Sequence, residues 1–117
     1  GESLKGRSIK KALILGVAYK KNVDDMRESP ALEFIRILSK KKIKVDYHDP
    51  YIKTIKTRKF KKTLKSIDIK KISNYDIVYL LTDHDIFDYR FIKDKSKLII
   101  DTRNVYKKEI KNKIIKL

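Results

Sequence analysis

The chain has 117 residues, a length that predicts a single domain with a substantial buried core. It contains no cysteine, which excludes a disulfide framework, a thiolate metal site and a cysteine nucleophile. The formal net charge of +16 is compatible with a nucleic acid or an anionic small molecule as ligand. Because the lysines are spread along the whole sequence, we interpret most of this charge as a general solvated surface charge.

The N-terminal segment, residues 1–10, is basic and poor in apolar residues, and it is interpreted as a linker before the domain at residues 11–117. It has no apolar centre of the kind found in secretory signal peptides. No apolar run in the sequence approaches the roughly 20 residues of a membrane-spanning helix. These features predict a cytoplasmic protein with no membrane contact.

The first strong pattern in the chain joins a strand, a loop and a helix. A nearly continuous apolar run predicts a buried strand over residues 11–16. The charged stretch at residues 17–29 is predicted to be a loop. Ser29 and Pro30 mark the start of a helix over residues 30–41, because serine is a favoured N-cap residue and proline fits the first helical position.

The rest of the chain continues the alternation of strands and helices. A second strand is predicted over residues 43–48, followed by a basic loop, residues 51–65, with a short strand near Phe60. This alternation predicts an α/β fold with a Rossmann-like, doubly wound, mostly parallel sheet and helices on both faces. The further predicted elements are a short helix over 66–74, a strand over 76–82, a short helix over 86–93, a strand over 97–100 and an edge strand over 113–117.

Three predicted strands end in polar, charged loops, at residues 17–29, 82–85 and 101–104. In a parallel sheet these loops lie beyond the carboxyl ends of the strands, which is where α/β folds bind ligands. A dinucleotide site of the usual kind needs the pattern G-x-G-x-x-G after the first strand, and only Gly16 is present there. The domain is therefore predicted not to hold a dinucleotide by itself.

Cations in these loops are candidates for contacts to phosphate groups, since arginine offers a planar fork of donors and lysine a point charge. The candidates are Lys20, Lys21, Arg27 and Arg103. Alternatively, Arg27 pairs with the acids beside it, Asp24, Asp25 or Glu28.

His84 stands between Asp83 and Asp85, an arrangement that suits acid–base chemistry or metal binding. No H-x-E or H-x-x-x-H pair accompanies it, so we interpret His84 as a structural residue that ties its loop by hydrogen bonds. No catalytic residue and no metal ligand is predicted in this chain.

The motif at residues 15–30 reads LGVAYKKNVDDMRESP, and it closely resembles the opening of the C-terminal, UDP-binding domain of the UDP-glucose/GDP-mannose dehydrogenase family. Residues 47–50, 81–84 and 100–104 are similar to further segments of that domain, so the resemblance covers nearly the whole chain. The amino-acid sequence of the loop at residues 22–28 most resembles the corresponding loop of enzymes that act on UDP-N-acetylglucosamine or UDP-N-acetylmannosamine.

The resemblance implies an enzyme that oxidises the C6 alcohol of a UDP-sugar to a carboxylate with two NAD. In such enzymes an N-terminal Rossmann domain holds NAD, and a helical central domain carries the catalytic cysteine and the dimer contact. Since this chain has neither the cysteine nor the glycine-rich pattern, we expect it to be the C-terminal domain of a larger homo-oligomeric enzyme and to be inactive alone.

The same resemblance implies roles for individual residues. Tyr19 and Lys20 would contact the nucleotide sugar, Arg103 would contact the nucleotide, and Arg27 would reach across the cleft toward NAD. The acids of the first loop would order it. The resemblance implies no role for the segment Thr82-Asp83-His84.

Two other functions are compatible with the sequence. A nucleic-acid-binding α/β module would need clustered cations and aromatic stacking platforms, whereas most aromatic residues here lie inside apolar patterns. A flavodoxin-like regulatory domain would need an acidic metal pocket, for which Asp24 and Asp25 together with Asp83 and Asp101 are the candidates.

Overall fold

A parallel sheet of five strands forms the centre of the computed structural model, which describes residues 8–18, 20–21, 29–56 and 63–117. Neighbouring strands are parallel throughout this sheet. The chain starts in the interior of the sheet, extends it on one side and then returns to extend it on the other, as in a doubly wound fold. The strands in spatial order are β2 (Lys44–His48), β1 (Lys11–Leu15), β5 (Ile77–Leu80), β6 (Ile99–Asp101) and β7 (Ile114–Lys116).

The two faces of the sheet carry separate hydrophobic clusters. On one face, Ala12 and Ile14 of β1 belong to the same cluster as the buried side of α1 (Ala31–Lys40). On the other face, the intervening apolar residues of β1 pack with a 3₁₀ helix (Ile69–Asn74) and with α2 (Tyr89–Lys95). These β1 side chains are fully buried, which explains their uninterrupted apolar run. The predicted fold class, with helices on both faces, is confirmed.

The start of α1 follows the predicted chemistry. Ser29 Oγ accepts a hydrogen bond from the backbone N–H of Ala31 at 3.2 Å. Pro30 lies between them with φ −70° and ψ −11°, an angle pair that already belongs to the helical region. The serine therefore satisfies one of the N–H groups that the first helical turn leaves without a partner.

Two predicted helices begin later than expected. The one predicted over 66–74 is a 3₁₀ helix that begins at Ile69, where the side chain of Asp68 accepts from the backbone N–H of Lys70. The helix predicted over 86–93 begins later, at Tyr89, because the side chain of Asp88 caps it by accepting from the backbone N–H of Phe91 at 3.0 Å. Phe87, which the prediction included in the helix, is instead a buried turn residue whose N–H donates to the carbonyl of His84. A side-chain cap therefore fixed the boundary more strongly than the apolar spacing did.

Two short strands, β3 (Thr54–Ile55) and β4 (Leu64–Lys65), pair in antiparallel register beside β2. They flank the position of the strand predicted near Phe60, which itself lies outside the described residues. Most of the predicted linker at residues 1–10 lies outside them too, so its role stays a prediction. Within the described ranges, no helix combines the length and the apolar character needed to span a bilayer.

Candidate functional site

The three polar loops noted in the sequence follow β1, β5 and β6, which are adjacent strands of the sheet. Their strands are parallel, so the loops lie together at its carboxyl edge. This edge is the usual ligand-binding position of a doubly wound fold. The first loop connects β1 to α1 over residues 16–30, and its described parts are residues 16–18, 20–21 and 29–30.

A close contact between Gly16 and Thr82 joins the first two loops. Gly16 has φ +83°, and a Cβ atom placed on it would lie 2.5 Å from the Cβ of Thr82 and 2.6 Å from its carbonyl oxygen. Thr82 is buried, and its hydroxyl donates to the carbonyl of Ala18 at 2.8 Å. The turn after β1 is therefore closed against the end of β5, and only glycine fits it.

Asp49, which follows β2, is a buried carboxylate that accepts hydrogen bonds from several segments at this edge of the sheet. Its Oδ2 accepts from the backbone N–H groups of Val17 and Ala18 at 2.8 and 3.2 Å and lies 2.9 Å from His84 Nε2. Its Oδ1 accepts from two further backbone N–H groups, those of Tyr51 and Ile52, at 2.8 and 3.2 Å. One carboxylate thus connects the ends of β1, β2 and β5.

The ionised form of Asp49 is favoured by these bonds. Burial alone would raise the pKa of this carboxyl, but the hydrogen bonds from His84 and from the backbone N–H groups of Val17 and Tyr51 outweigh it and lower the pKa. Because an ionised carboxylate only accepts, Nε2 of His84 is the donor. His84 is fully buried and its Nε2 donates to Asp49, so the prediction that it ties its loop by hydrogen bonds is confirmed.

Asp101 shapes the third loop in a similar way. It is fully buried at the end of β6 and accepts from the backbone N–H groups of Arg103, Val105 and Tyr106 at 3.0, 3.2 and 2.9 Å. Its oxygens are therefore occupied by its own loop. No group of three or more potential metal-binding side chains occurs in the part of the chain that the structure describes. The acidic pocket of the flavodoxin-like alternative has no support there, and Asp24 and Asp25 lie outside it.

Arg103, one of the predicted binding residues, lies at this edge. Its Nε donates to Oδ1 of Asp83 at 3.2 Å, and its side chain is 47% exposed against 27% for the aspartate. The predicted residue Lys20 is exposed at the same edge, and the neighbouring Lys21 lies 3.7 Å from Asp85. The structure thus places Arg103 and Lys21 against the loop after β5. The predicted residues Tyr19 and Arg27 lie outside the described residues.

The sequence analysis did not assign the central role of Asp49. Asp49 entered the predictions only as part of the segment 47–50, which resembles the family's domain. A carboxylate directly after a strand, where backbone N–H groups of several loops converge, is the signal that was available. The partners of Asp49 lie in distant parts of the sequence, so the network itself was not predictable from local patterns.

A cavity of about 210 Å³ lies beside this edge, lined by residues that include His48, Phe87 and Phe91. The lining residues that the structure describes are mainly apolar and include no lysine or arginine. It therefore lacks the charge needed for a phosphate group, and the exposed cations of the loops are the better candidates for ligand contact.

Comparison with known proteins gives one consistent result. Residues 13–108 match the model of a family described as the UDP-glucose/GDP-mannose dehydrogenase family, UDP binding domain. A UDP-N-acetyl-D-mannosamine dehydrogenase of Methanocaldococcus jannaschii is 37% identical over 112 residues, which cover 89% of this chain and 25% of the relative. A UDP-glucose 6-dehydrogenase of Rickettsia typhi is 36% identical, over 95% of this chain and 27% of the relative.

A solved structure agrees with these sequences. The UDP-D-ManNAc dehydrogenase of Pyrococcus horikoshii superposes with a TM-score of 0.69 at 29% identity, covering 98% of this chain and 27% of the other. The chain therefore spans about a quarter of the length of the relatives it matches.

Proposed function

This chain belongs to the UDP-glucose/GDP-mannose dehydrogenase family, as its UDP-binding domain, and we propose that its loops after β1, β5 and β6 bind the UDP part of a nucleotide sugar. The observation that carries the proposal is Arg103. Its backbone is fixed by buried Asp101, and its guanidinium is half-exposed at the carboxyl edge of the sheet.

The chemistry of UDP suits this edge. A diphosphate carries negative charge on several oxygens, and the planar guanidinium of Arg103 can donate to two of them at once. Lys20 contributes a further positive charge from the loop after β1, and Tyr19 is proposed to contact the same nucleotide sugar. The net charge of +16 also favours the approach of an anionic ligand.

We propose that the complete enzyme oxidises the C6 alcohol of a UDP-sugar to a carboxylate with NAD, and that the sugar is an N-acetylhexosamine. The relatives named as UDP-N-acetyl-D-mannosamine dehydrogenases support this choice of sugar. The enzyme is proposed to act in the cytoplasm as a homo-oligomer. An N-terminal NAD-binding domain and a central dimerisation domain are its proposed partners within the same polypeptide.

The turn after β1 does not fit the pyrophosphate of NAD. A dinucleotide-binding turn needs a second glycine two residues after the first, so that the backbone can approach the pyrophosphate, and Ala18 stands at that position here. We therefore propose that NAD is held mainly outside this chain. Arg27 is proposed to reach toward NAD from the first loop.

We propose no nucleic-acid partner. Stacking on bases requires exposed aromatic side chains. The side chains of Tyr47, Tyr75 and Phe87 are buried in the two hydrophobic clusters instead. Among the described aromatic residues only Tyr51 is exposed, at 37%. The dispersed lysines then remain a general surface charge.

The binding prediction is tested with UDP and the 117-residue chain by isothermal titration calorimetry. Arg103→Ala is expected to weaken UDP binding about tenfold or more, because a hydrogen bond to a charged group contributes about 1.5–3 kcal/mol. Lys20→Ala is expected to weaken it in the same direction. Arg36→Ala is the matched control, since Arg36 also pairs with a carboxylate, that of Glu33, but lies on α1 away from the loops.

Two outcomes would contradict this proposal. One is a wild-type chain that shows no heat of binding with UDP. The other is an Arg103→Ala variant that binds UDP as tightly as the Arg36→Ala control does.

The 117-residue chain alone is expected to produce no NADH from NAD and UDP-N-acetylmannosamine or UDP-glucose, because it lacks a cysteine nucleophile and a glycine-rich dinucleotide turn. NADH absorbance measures this. An active UDP-sugar dehydrogenase added to the same reagents is the positive control. Turnover by the chain itself, above the background without protein, would show that it carries a complete active site.

A further inference from the structure

The loop after β5, residues 82–85, contacts both loops that carry the proposed UDP-binding cations. Thr82 bonds to Ala18 of the first loop, and Asp83 bonds to Arg103 of the third. The family resemblance gave this segment no role, and the sequence alone assigned it no role in nucleotide binding. Its position between the two cationic loops indicates one.

Asp83 is held in place on both sides. Its neighbours Thr82 and His84 are 4% and 0% exposed, and each is bonded to another loop. The carbonyl of His84 also accepts from the hydroxyl of Tyr89 at 2.7 Å. The carboxylate of Asp83 is thus carried by a fixed backbone, although the side chain itself is partly exposed.

Arg103 is anchored in the same manner. Its N–H donates to Asp101, and the hydroxyl of the preceding residue, Thr102, donates to the carbonyl of Leu80 at 2.7 Å. The backbones beneath the two side chains are therefore both fixed. The ion pair between Asp83 and Arg103 joins two rigid points rather than two mobile loops.

We propose that Asp83 is a positioning residue of the nucleotide site, which orients Arg103 before UDP binds. The proposal rests on the function proposed above. Asp83 accepts from Nε of Arg103, and this leaves the edge of the guanidinium formed by its two terminal nitrogens for the diphosphate. An arginine held in this way loses less side-chain freedom when the ligand arrives.

The exposure of the pair separates positioning from stabilisation of the fold. Ion pairs between exposed side chains contribute little to stability, and this pair is 47% and 27% exposed. Asp83 also places a negative charge near an anionic ligand, which by itself would weaken binding. If Asp83 orients Arg103, removing its carboxylate weakens UDP binding; if it does not, removing that negative charge leaves binding unchanged or tightens it.

The test measures UDP binding by calorimetry together with urea unfolding for three variants of the 117-residue chain. Asp83→Ala is expected to raise the Kd for UDP about three- to tenfold, because Arg103 must then be ordered by the ligand. Asp83→Asn is expected to recover affinity, since its amide oxygen still accepts from Nε. Asp88→Ala is the control: it loses the cap of α2 and so stability, with the Kd for UDP unchanged.

A double-mutant cycle adds a second readout. In the Arg103→Ala background, Asp83→Ala is expected not to raise the Kd further, because Asp83 favours binding only through Arg103, and the loss of its negative charge should lower the Kd slightly. The inference is overturned if Asp83→Ala leaves the Kd unchanged or tightens binding. It is also overturned if Asp83→Asn binds UDP as weakly as Asp83→Ala does.

A ligand-free measurement separates this inference from the proposed function. The Nε–H resonance of Arg103 in a ¹⁵N–¹H spectrum is expected to be protected from solvent exchange in the wild type and to lose that protection in Asp83→Ala. If wild-type chain fails to bind UDP while this protection is present, the proposed function fails and the orientation of Arg103 stands. If UDP binds but the protection is the same in both forms, only the positioning role fails.

Discussion

Replacing Gly16 by alanine is expected to lower the free energy of unfolding by about 2–5 kcal/mol, the sum of a left-handed backbone penalty of about 1–2 kcal/mol and an overpacking cost of about 1–3 kcal/mol. The backbone has φ +83°, and the new Cβ would lie 2.5–2.8 Å from three atoms of Thr82. Since small domains have a total stability of about 5–15 kcal/mol, this one change removes a large part of it. Urea unfolding followed by circular dichroism measures the loss.

Two further variants test the backbone penalty and the overpacking cost separately. Lys42→Gly is expected to stabilise the chain by about 1 kcal/mol, because Lys42 is an exposed non-glycine residue with φ +62°. Thr82→Ala should not rescue Gly16→Ala, because the short contacts involve the backbone oxygen and nitrogen and the Cβ of Thr82. A Gly16→Ala variant as stable as the wild type would show that the turn after β1 can open.

The sequence predicted the strand and the helix around Gly16 but not the purpose of that glycine. An apolar run such as that of β1 directly predicts a buried strand. Ser29 followed by Pro30 predicts a helix start, because the capping hydrogen bond is local in sequence. The contact between Gly16 and Thr82 joins two residues far apart in sequence. Their contact could therefore not be predicted from a local sequence pattern.

In the candidate site too, some features were predictable from local sequence and others were not. Arg103 and Lys20 were identifiable because charged residues after buried strands must lie at the sheet edge. Asp101 and Asp83 accept hydrogen bonds from Arg103. Asp49 accepts from Val17 and Ala18 in the loop that carries Lys20. The sequence alone assigned none of these bonds to these acids. Their roles depend on which strands are neighbours, which is a property of the whole sheet.

Asp49→Asn is expected to lower the free energy of unfolding by about 3 kcal/mol or more, because a buried donor or acceptor left without a partner costs about 1–3 kcal/mol and several are affected. Oδ2 of Asp49 faces three donors, and Oδ1 faces two. An amide NH₂ group in either position therefore opposes at least two donors. Urea unfolding at pH 7 measures the difference between the two forms.

The stability difference between the wild type and Asp49→Asn is also expected to depend on pH, in a direction that the pKa of Asp49 defines. The pKa of Asp49 is lowered in the folded state from its ordinary value of 3.8, so its contribution to stability is present above that value and is lost as the pH falls through the folded-state pKa. The stability difference between wild type and Asp49→Asn should consequently narrow as the pH falls below about 4. Other acids with lowered pKa, such as Asp76, are present in both forms and cancel in this difference.

Asp88→Asn is the matched control for this experiment. Asparagine caps helices about as well as aspartate, so the variant should stay within about 0.5 kcal/mol of the wild type at neutral pH. A destabilisation by Asp49→Asn that stays constant from pH 7 to pH 3 would show that the charge of Asp49 is not what holds the ends of β1, β2 and β5 together. A variant as stable as the Asp88→Asn control would show that the backbone N–H groups around Asp49 find other acceptors, and the edge would then not depend on this carboxylate.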